Sequence, residues 1–505
     1  MDTRISAAAR GDGFLARLAR AAASDPSGIA VSEPRRSITF AGLDRLSNQL
    51  ARVLLERGVR AGDSVGVYLD RGVDLVLAAV AILKAGCAFV LTDVTHPRAR
   101  VLGCLQDAGT TCVIVSARVP LAELGGRAVA IERLGPQVAA AHDGALAELA
   151  PDAGAYIVYT SGSTGRPKGV DVPYGAFCNY VSWAAGAYRA AEGSGSILHT
   201  SVAFDLALTS IFVPLAAGRE VHAIPAHASI ADLADAMLRR PGLSLMKLTP
   251  LHLRLLPGLL GPEHARGRAR FFVVGGEALF RDDLAFWFEH APDTRIINEY
   301  GPSETVVGCV VHEADPRDPR HAVPIGRPIS GASIYLLDDE LRPVADGARG
   351  EIFIGGDVVA TGYHRSPELT AQRFVRDPFA GRASARMYRT GDIAYADTDG
   401  LLIYAGRADD QIKHRGYRIE LGEIESAVRA LEHVSDAAVI HVAESGALVA
   451  FVVADAPLDE AAVRGALGAV LPEFMVPTLV VQCDALPMTS NGKVDRSMLR
   501  ARVEN

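Results

Sequence analysis

Between Tyr159 and Gly169 the chain reads Tyr-Thr-Ser-Gly-Ser-Thr-Gly-Arg-Pro-Lys-Gly. Such a stretch can close around an anion. Gly162 and Gly165 let backbone N–H groups approach, Thr160, Ser161, Ser163 and Thr164 add O–H donors, and Lys168 brings an ammonium. The plainer alternative is a flexible Gly/Ser turn. The spacing from Gly162 to Lys168 is not that of a Walker A loop, which requires G-x-x-x-x-G-K-[ST].

Other candidate groups stand in apolar company. Asp205 lies in Ala203-Phe-Asp-Leu-Ala-Leu-Thr-Ser210, where an acidic residue is either a cap held by the helix dipole or a charge partner for a ligand. Lys247 sits in the apolar run Leu245-Met-Lys-Leu, so it must meet a carboxylate or line a polar cavity. Glu299 and Glu304 fall in Ile297-Asn-Glu-Tyr-Gly-Pro-Ser-Glu-Thr305, Asp392 in Tyr388-Arg-Thr-Gly-Asp392, and Lys493 on an Asn-Gly turn. Of the 51 basic residues only five are lysine, at 84, 168, 247, 413 and 493. Where arginine is the default, lysine suggests a site that needs a compact ammonium rather than a planar fork.

The elements that must carry these groups follow from periodicity. An entry helix is expected near Phe14–Ala23. Thr39 then reads as the N-cap of a helix whose Leu43, Leu46, Leu50, Val53 and Leu54 share one face and which stops at Gly58. A strand at Ser64–Leu69, a helix at Val73–Ala85 and a strand at Ala88–Thr92 follow. This alternation predicts an α/β layered domain with largely parallel pairing. Ala155–Tyr159 predicts a buried strand feeding the loop. The segments around Gly350–Gly356 and Val359–Tyr363 read as a β-rich scaffold. A polar break at Gly406-Arg-Ala-Asp-Asp-Gln411 divides a large N-terminal part, 1–408, from a small α/β part, 409–505.

Composition narrows the classes. At 505 residues, 49% hydrophobic and formal net charge −8, the chain reads as a globular enzyme without a general nucleic-acid surface. Its six cysteines are scattered without C-x-x-C spacing, which indicates neither a zinc site nor a disulfide framework. No apolar run has the length of a membrane span, and a cytoplasmic location is expected.

In order and spacing, these motifs resemble the adenylate-forming superfamily of acyl-CoA synthetases, luciferase and the adenylation domains of nonribosomal peptide synthetases. The match runs from about residue 30 to 496, and it includes Lys84-Ala-Gly-Cys-Ala-Phe89, Gln411–Glu425 and Asn491-Gly-Lys-Val-Asp-Arg496. The resemblance implies a large N-terminal core with two α/β layered subdomains and a β-rich one, followed by a mobile C-terminal subdomain hinged at Asp409. It implies that the 160–168 loop binds the ATP phosphates, that Tyr300 stacks on adenine beside Gly301 and Ser303, and that Glu304 helps to hold Mg²⁺. By the same resemblance Asp392 takes the ribose hydroxyls, Arg407 reaches the nucleotide and Lys493 swings in as a catalytic lysine. Two departures, the missing prolines after Leu91 and His414 in place of an aliphatic residue, are read as structural.

The family's amino-acid pocket maps onto Asp205, Leu206, Thr209, Lys247, Val273, Gly275, Glu299, Val307, Gly308 and Lys493. Asp205 would meet an α-ammonium and Lys493 the α-carboxylate. Gly275 and Gly308 would leave space, and Leu206, Val273 and Val307 would form apolar walls. Lys247 as donor and Glu299 as acceptor suit a short carboxamide, and the pattern is similar to that of asparagine activators. Aspartate, a β-substituted relative or glutamine stays open, as does a structural Lys247–Glu299 pair around a small neutral side chain. The resemblance thus implies amino-acid adenylation and transfer to a carrier-protein phosphopantetheine, by a free-standing enzyme or a piece of a larger synthetase, with or without a small MbtH-like helper. An acyl- or aryl-CoA ligase and a non-catalytic binding module are the rival readings. The first has no use for Asp205, and the second no need of Lys168, Glu304, Asp392 and Lys493 together.

Overall fold

Apolar strands alternating with helices build a mixed α/β architecture. The computed structural model describes residues 13–119, 124, 127–146, 149–162, 165–409, 411–442, 445–488 and 494–504. Ser163, Thr164 and Lys493 lie outside the described residues. The chain divides into two compact units: one holds most of the first 408 residues, and the other holds 409–505 together with 95–106 and 159–168.

In the first unit a seven-stranded sheet carries the predicted alternation. Ser64–Tyr68 pairs in parallel with both Ala88–Leu91 and Cys112–Val115. The strand Gly154–Thr160 lies between Ala88–Leu91 and Lys168–Pro173. The helix Phe40–Glu56 starts as its sequence requires, with Thr39 Oγ1 accepting from the Gly42 N–H at 3.1 Å. Lys84, at the end of the helix Val73–Lys84, donates to Asp44 at 2.6 Å. That ammonium ties two helices together and belongs to the framework.

The site-bearing elements come from neighbouring layers. Helix α1 is Tyr174–Ala187 and helix α2 is Leu206–Ala216. Strands β1 (Leu243–Leu248), β2 (Ala269–Val274) and β3 (Arg295–Tyr300) run parallel, and β4 (Val310–Glu313) returns antiparallel to β3. The register sets Lys247 beside Val273, Val273 beside Ile297 and Glu299 beside Val311. These strands read as continuous apolar runs because helices cover both faces of a parallel sheet. Strands β5 (Arg386–Ala396) and β6 (Leu402–Arg407) belong to a β-rich layer and put Asp392 opposite Arg407.

The second unit has its own apolar core. It contains a three-stranded sheet of Val434–Val442, Ala447–Ala454 and Leu479–Gln482, and a hairpin of Gln411–His414 with Tyr417–Glu420. The hairpin tip uses Arg415 and Gly416, both at positive φ. His414 is buried against His441, and burial brings its imidazole down to about 4, which fits a framework role. No helix among the described residues is long and apolar enough to cross a membrane.

Candidate active site

Asp205, Thr209, Tyr180, Tyr188, Lys247 and Glu299 of the first unit meet where α1, α2 and the ends of β1 and β3 converge. Asp205 precedes α2 but does not cap it, since its side chain makes no capping hydrogen bond. Its Oδ2 is buried without a hydrogen-bond partner among the described residues. Burial pushes its carboxyl up to about 6, opposed by a hydrogen bond from Ser303 and the charge of Lys247. A partnerless buried carboxylate oxygen is costly on its own and suits an incoming cation. The cavity it lines with Tyr156, Phe204 and Leu208 holds only about 10 Å³, room for about one water. The phenolic oxygen of Tyr156 is also buried and without a partner there.

Lys247 and Glu299 form a buried ion pair, with side chains 1% and 0% exposed. The Glu299 carboxylate also accepts from the Tyr188 hydroxyl at 2.6 Å and, more loosely, from the Tyr180 hydroxyl at 3.2 Å. Tyr180 in turn lies 2.6 Å from Thr209 Oγ1. Burial and the Glu299 charge push both phenols well above the usual tyrosine range, so both remain protonated donors.

Gly275 and Gly308 both lie against Glu299. A Cβ at Gly308 would fall 2.4 Å from the Glu299 side chain, and one at Gly275 would fall 2.9 Å from the Glu299 carbonyl oxygen. The missing side chains make room for Glu299 and its strand. Val273 and Val307 are buried as apolar neighbours, and Leu206 is half-buried.

A second cluster lies at the end of β3. Glu304 is fully buried in a short 3₁₀ turn, and its Oε1 accepts from the Tyr363 hydroxyl at 2.7 Å. Tyr363 stands 3.2 Å from Tyr388, joining two further phenols to the cluster. Asp392 accepts from the Tyr300 hydroxyl through Oδ2 at 2.6 Å and from Arg407 through Oδ1 at 2.6 Å. The Tyr300 phenol is pushed well up, by burial first and Asp392 second. A carboxylate has about four acceptor positions, so Asp392 keeps capacity for hydroxyls beyond these bonds. Among the described residues no group of three or more His, Cys, Asp or Glu could form a metal cage. One carboxylate is nonetheless a fitting donor set for Mg²⁺, which is commonly held by one or two carboxylates plus substrate phosphates.

Val306, between Glu304 and the pocket wall, has φ +63° and ψ 178° and is fully buried. For a β-branched residue that conformation costs about 1–3 kcal/mol, and such strain gathers at sites where backbone direction matters. It turns the chain between Glu304 and Gly308. Neither this strain nor Tyr180 and Tyr188 was signalled by a motif, and the segments that end at Tyr363 and begin at Tyr388 gave no sign that these phenols meet Glu304. The one available cue for Tyr180 and Tyr188 was their phenols in an apolar helical stretch, since a buried O–H needs a partner.

The loop residues are found in the second unit. Gly162 is obligatory, because a Cβ there would fall 1.9 Å from the Arg166 carbonyl oxygen. Ser161 Oγ donates to the Arg418 carbonyl at 2.9 Å and accepts from the Glu420 N–H at 3.0 Å, and the Gly162 N–H donates to buried Glu423 at 3.3 Å. Glu423 also pairs with Arg100. Thr160 Oγ1 is buried without a partner among the described residues. The Gly162 N–H thus donates to a carboxylate oxygen of the same unit. Asp409, at the start of the unit, accepts from the Gln411 N–H at 3.3 Å. A groove of about 740 Å³ in the same unit is lined by His96, Arg415, Arg464 and Phe474 among others.

Comparison with known proteins agrees with this geometry. The family model described as AMP-binding enzyme matches residues 18–364, and that described as AMP-binding enzyme C-terminal domain matches 423–493. The chain therefore belongs to the AMP-binding enzyme family and is an adenylate-forming ligase. It is 37% identical over 495 residues to tyrocidine synthase 3 of Brevibacillus parabrevis, covering 95% of this chain and 7% of that one. It is 38% identical over 483 residues to bacitracin synthase 3 of Bacillus licheniformis, covering 94% and 7%. The solved structure of holo-PA1221, described as a nonribosomal peptide synthetase protein with adenylation and PCP domains, superposes with a TM-score of 0.84 at 27% identity, covering 97% of this chain and 84% of that one. The chain thus spans a small part of the two curated relatives.

Proposed function

We propose that this chain activates an amino acid as its adenylate and passes it to the phosphopantetheine thiol of a carrier protein in nonribosomal peptide synthesis. The observation that carries the amino-acid reading is Asp205, whose buried Oδ2 has no partner among the described residues and offers an α-ammonium a charged acceptor. An acyl or aryl acid would leave that oxygen without a partner.

In the reaction, a carboxylate oxygen of the amino acid attacks the α-phosphorus of ATP, the bond to the β-phosphate oxygen breaks, and pyrophosphate leaves. Two anions must be brought together, so positive charge and orientation do most of the work. Asp205 holds the ammonium. Lys493 bridges the attacking carboxylate and the α-phosphate oxygens, and Lys168 with residues 160–165 takes the outer phosphates. Tyr300, Gly301 and Ser303 border the base, while Asp392 and Arg407 take the ribose. When bound, Mg²⁺ on Glu304 and the phosphates supplies charge neutralisation. In the second half-reaction the carrier thiol attacks the acyl carbon and AMP leaves. Asp409 is read as the hinge.

For the side chain, the proposal is asparagine. Two of the three N–H donors of Lys247 have no partner among the described residues, so a carboxamide oxygen has a donor to meet. The closed Lys247–Glu299 pair favours a second reading, in which the pair is framework and the substrate is small and neutral. The Glu299→His variant separates them. Without its carboxylate partner, Lys247 should take one from the substrate, and activation should drift toward aspartate by one to two decades in relative kcat/KM, as about 2–3 kcal/mol of charge pairing implies. Glu299→Gln, which preserves volume, should move the same way, whereas an unchanged preference in both would favour the framework reading. A cytoplasmic setting is part of the proposal, and activity is to be assayed both with and without an MbtH-like helper. Incubation with ATP, amino acid and a phosphopantetheinylated carrier should yield AMP, pyrophosphate and aminoacyl thioester in equal amounts. Pyrophosphate without thioester would limit the reading to adenylation.

A further inference from the structure

We infer that Tyr188 and Tyr180 are positioning residues that set the charge selectivity of the side-chain pocket, by holding Glu299 as an oriented anion against Lys247. This rests on the amino-acid reading above. The side chains involved come from elements far apart in sequence: α1 brings Tyr180, the turn after it Tyr188, β1 Lys247 and β3 Glu299. All four are nearly or fully buried.

Donor count points to this role. A buried lysine and glutamate need only each other for charge, yet Glu299 also takes two phenolic hydrogen bonds. Hydrogen bonds donated to a carboxylate favour its charged form and fix its direction. The shorter bond comes from Tyr188, and Tyr180 is shared with Thr209, which is itself fully buried. Gly308 completes the seat, because any side chain there would displace Glu299. The other titratable groups facing this cluster are Asp205, whose charge acts on Tyr180, and Cys309, a neutral thiol pushed up to about 12 by burial. A fixed anion behind Lys247 repels a second carboxylate. Loosening it should therefore admit acidic side chains while leaving neutral ones largely unaffected.

The test compares the wild type with Tyr188→Phe and Tyr180→Phe, by amino-acid-dependent pyrophosphate exchange over neutral and acidic isosteres, asparagine with aspartate and glutamine with glutamate. Tyr188→Phe should lower the neutral-to-acidic ratio of kcat/KM about tenfold with kcat on the favoured substrate kept within a few-fold. Tyr180→Phe should lower it less, and the double variant should approach Glu299→Gln. A general packing defect would depress all substrates together, so an unchanged ratio overturns the inference. A wild type that favours another amino acid would refute the asparagine reading alone, since the ratio can still be measured. If no amino acid is activated, the lysine ammonium signals of ¹⁵N-lysine protein decide the matter, with only five to resolve. Tyr188→Phe should shift one signal, the same one that Glu299→Gln moves, and leave the other four. Five unmoved signals would also overturn the inference.

Discussion

Asp205→Asn should reduce kcat/KM for the amino acid by at least two decades while leaving the KM for ATP within a few-fold. That size follows from the partner lost: truncating one member of a buried charge pair costs about 3–5 kcal/mol. The same substitution should raise the melting temperature of the substrate-free protein. In the folded chain the carboxyl is pushed up to about 6 from 3.8. The folded state then holds its proton more tightly than the unfolded state does. The contribution of this group to stability is therefore greatest below about pH 4, falls between about 4 and 6, and stays at the lower level above. Asparagine removes that cost at neutral pH. Differential scanning calorimetry at pH 5 and pH 8 checks it, with the larger gain expected at pH 8. The pH profile of the wild type follows from the same group. An ammonium binds the ionised form, so kcat/KM for the amino acid should be level above about pH 6 and fall tenfold per unit below it. A level profile down to pH 4.5 would speak against Asp205 as the anchor.

Lys493→Ala should slow adenylate formation by two or more decades, as expected when a charge partner of the transition state is removed. In sequence the residue follows Asn491-Gly492, between Met488 and Val494, which pair in a β-bridge. Pyrophosphate exchange gives the rate, and the amino-acid KM separates binding from chemistry. A loss confined to kcat marks a group that acts in the transition state. Exchange at near-normal rate would refute the assignment.

Local signals carried much of this reading. The Thr39 cap, the strand–helix alternation from Ser64 to Leu91 and the apolar runs of β1 to β3 are written in short stretches, because capping and periodicity are local rules. Asp205 and Lys247 were legible for a related reason: a charge in apolar surroundings requires an explanation wherever it occurs. The phenols that hold Glu299 and Glu304 were not legible. Tyr188 reaches Glu299 across 111 positions and Tyr363 reaches Glu304 across 59, and no periodicity encodes such pairings. That Gly308 lies against Glu299 was not legible either. A glycine states that a side chain is missing, but only the tertiary arrangement states what fills the gap. The strain at Val306 is likewise invisible in sequence, since a buried valine in an apolar turn is the ordinary case.

The central claim, that a zwitterion anchored on Asp205 is joined to AMP, is tested most directly by amino-acid-dependent ATP–pyrophosphate exchange over the proteinogenic set, with and without an MbtH-like helper. The predicted result is exchange with a narrow group of amino acids, strongest for asparagine, and its loss in Asp205→Asn. Exchange with none of them, or exchange driven equally well by des-amino acids such as succinamic acid, would contradict it.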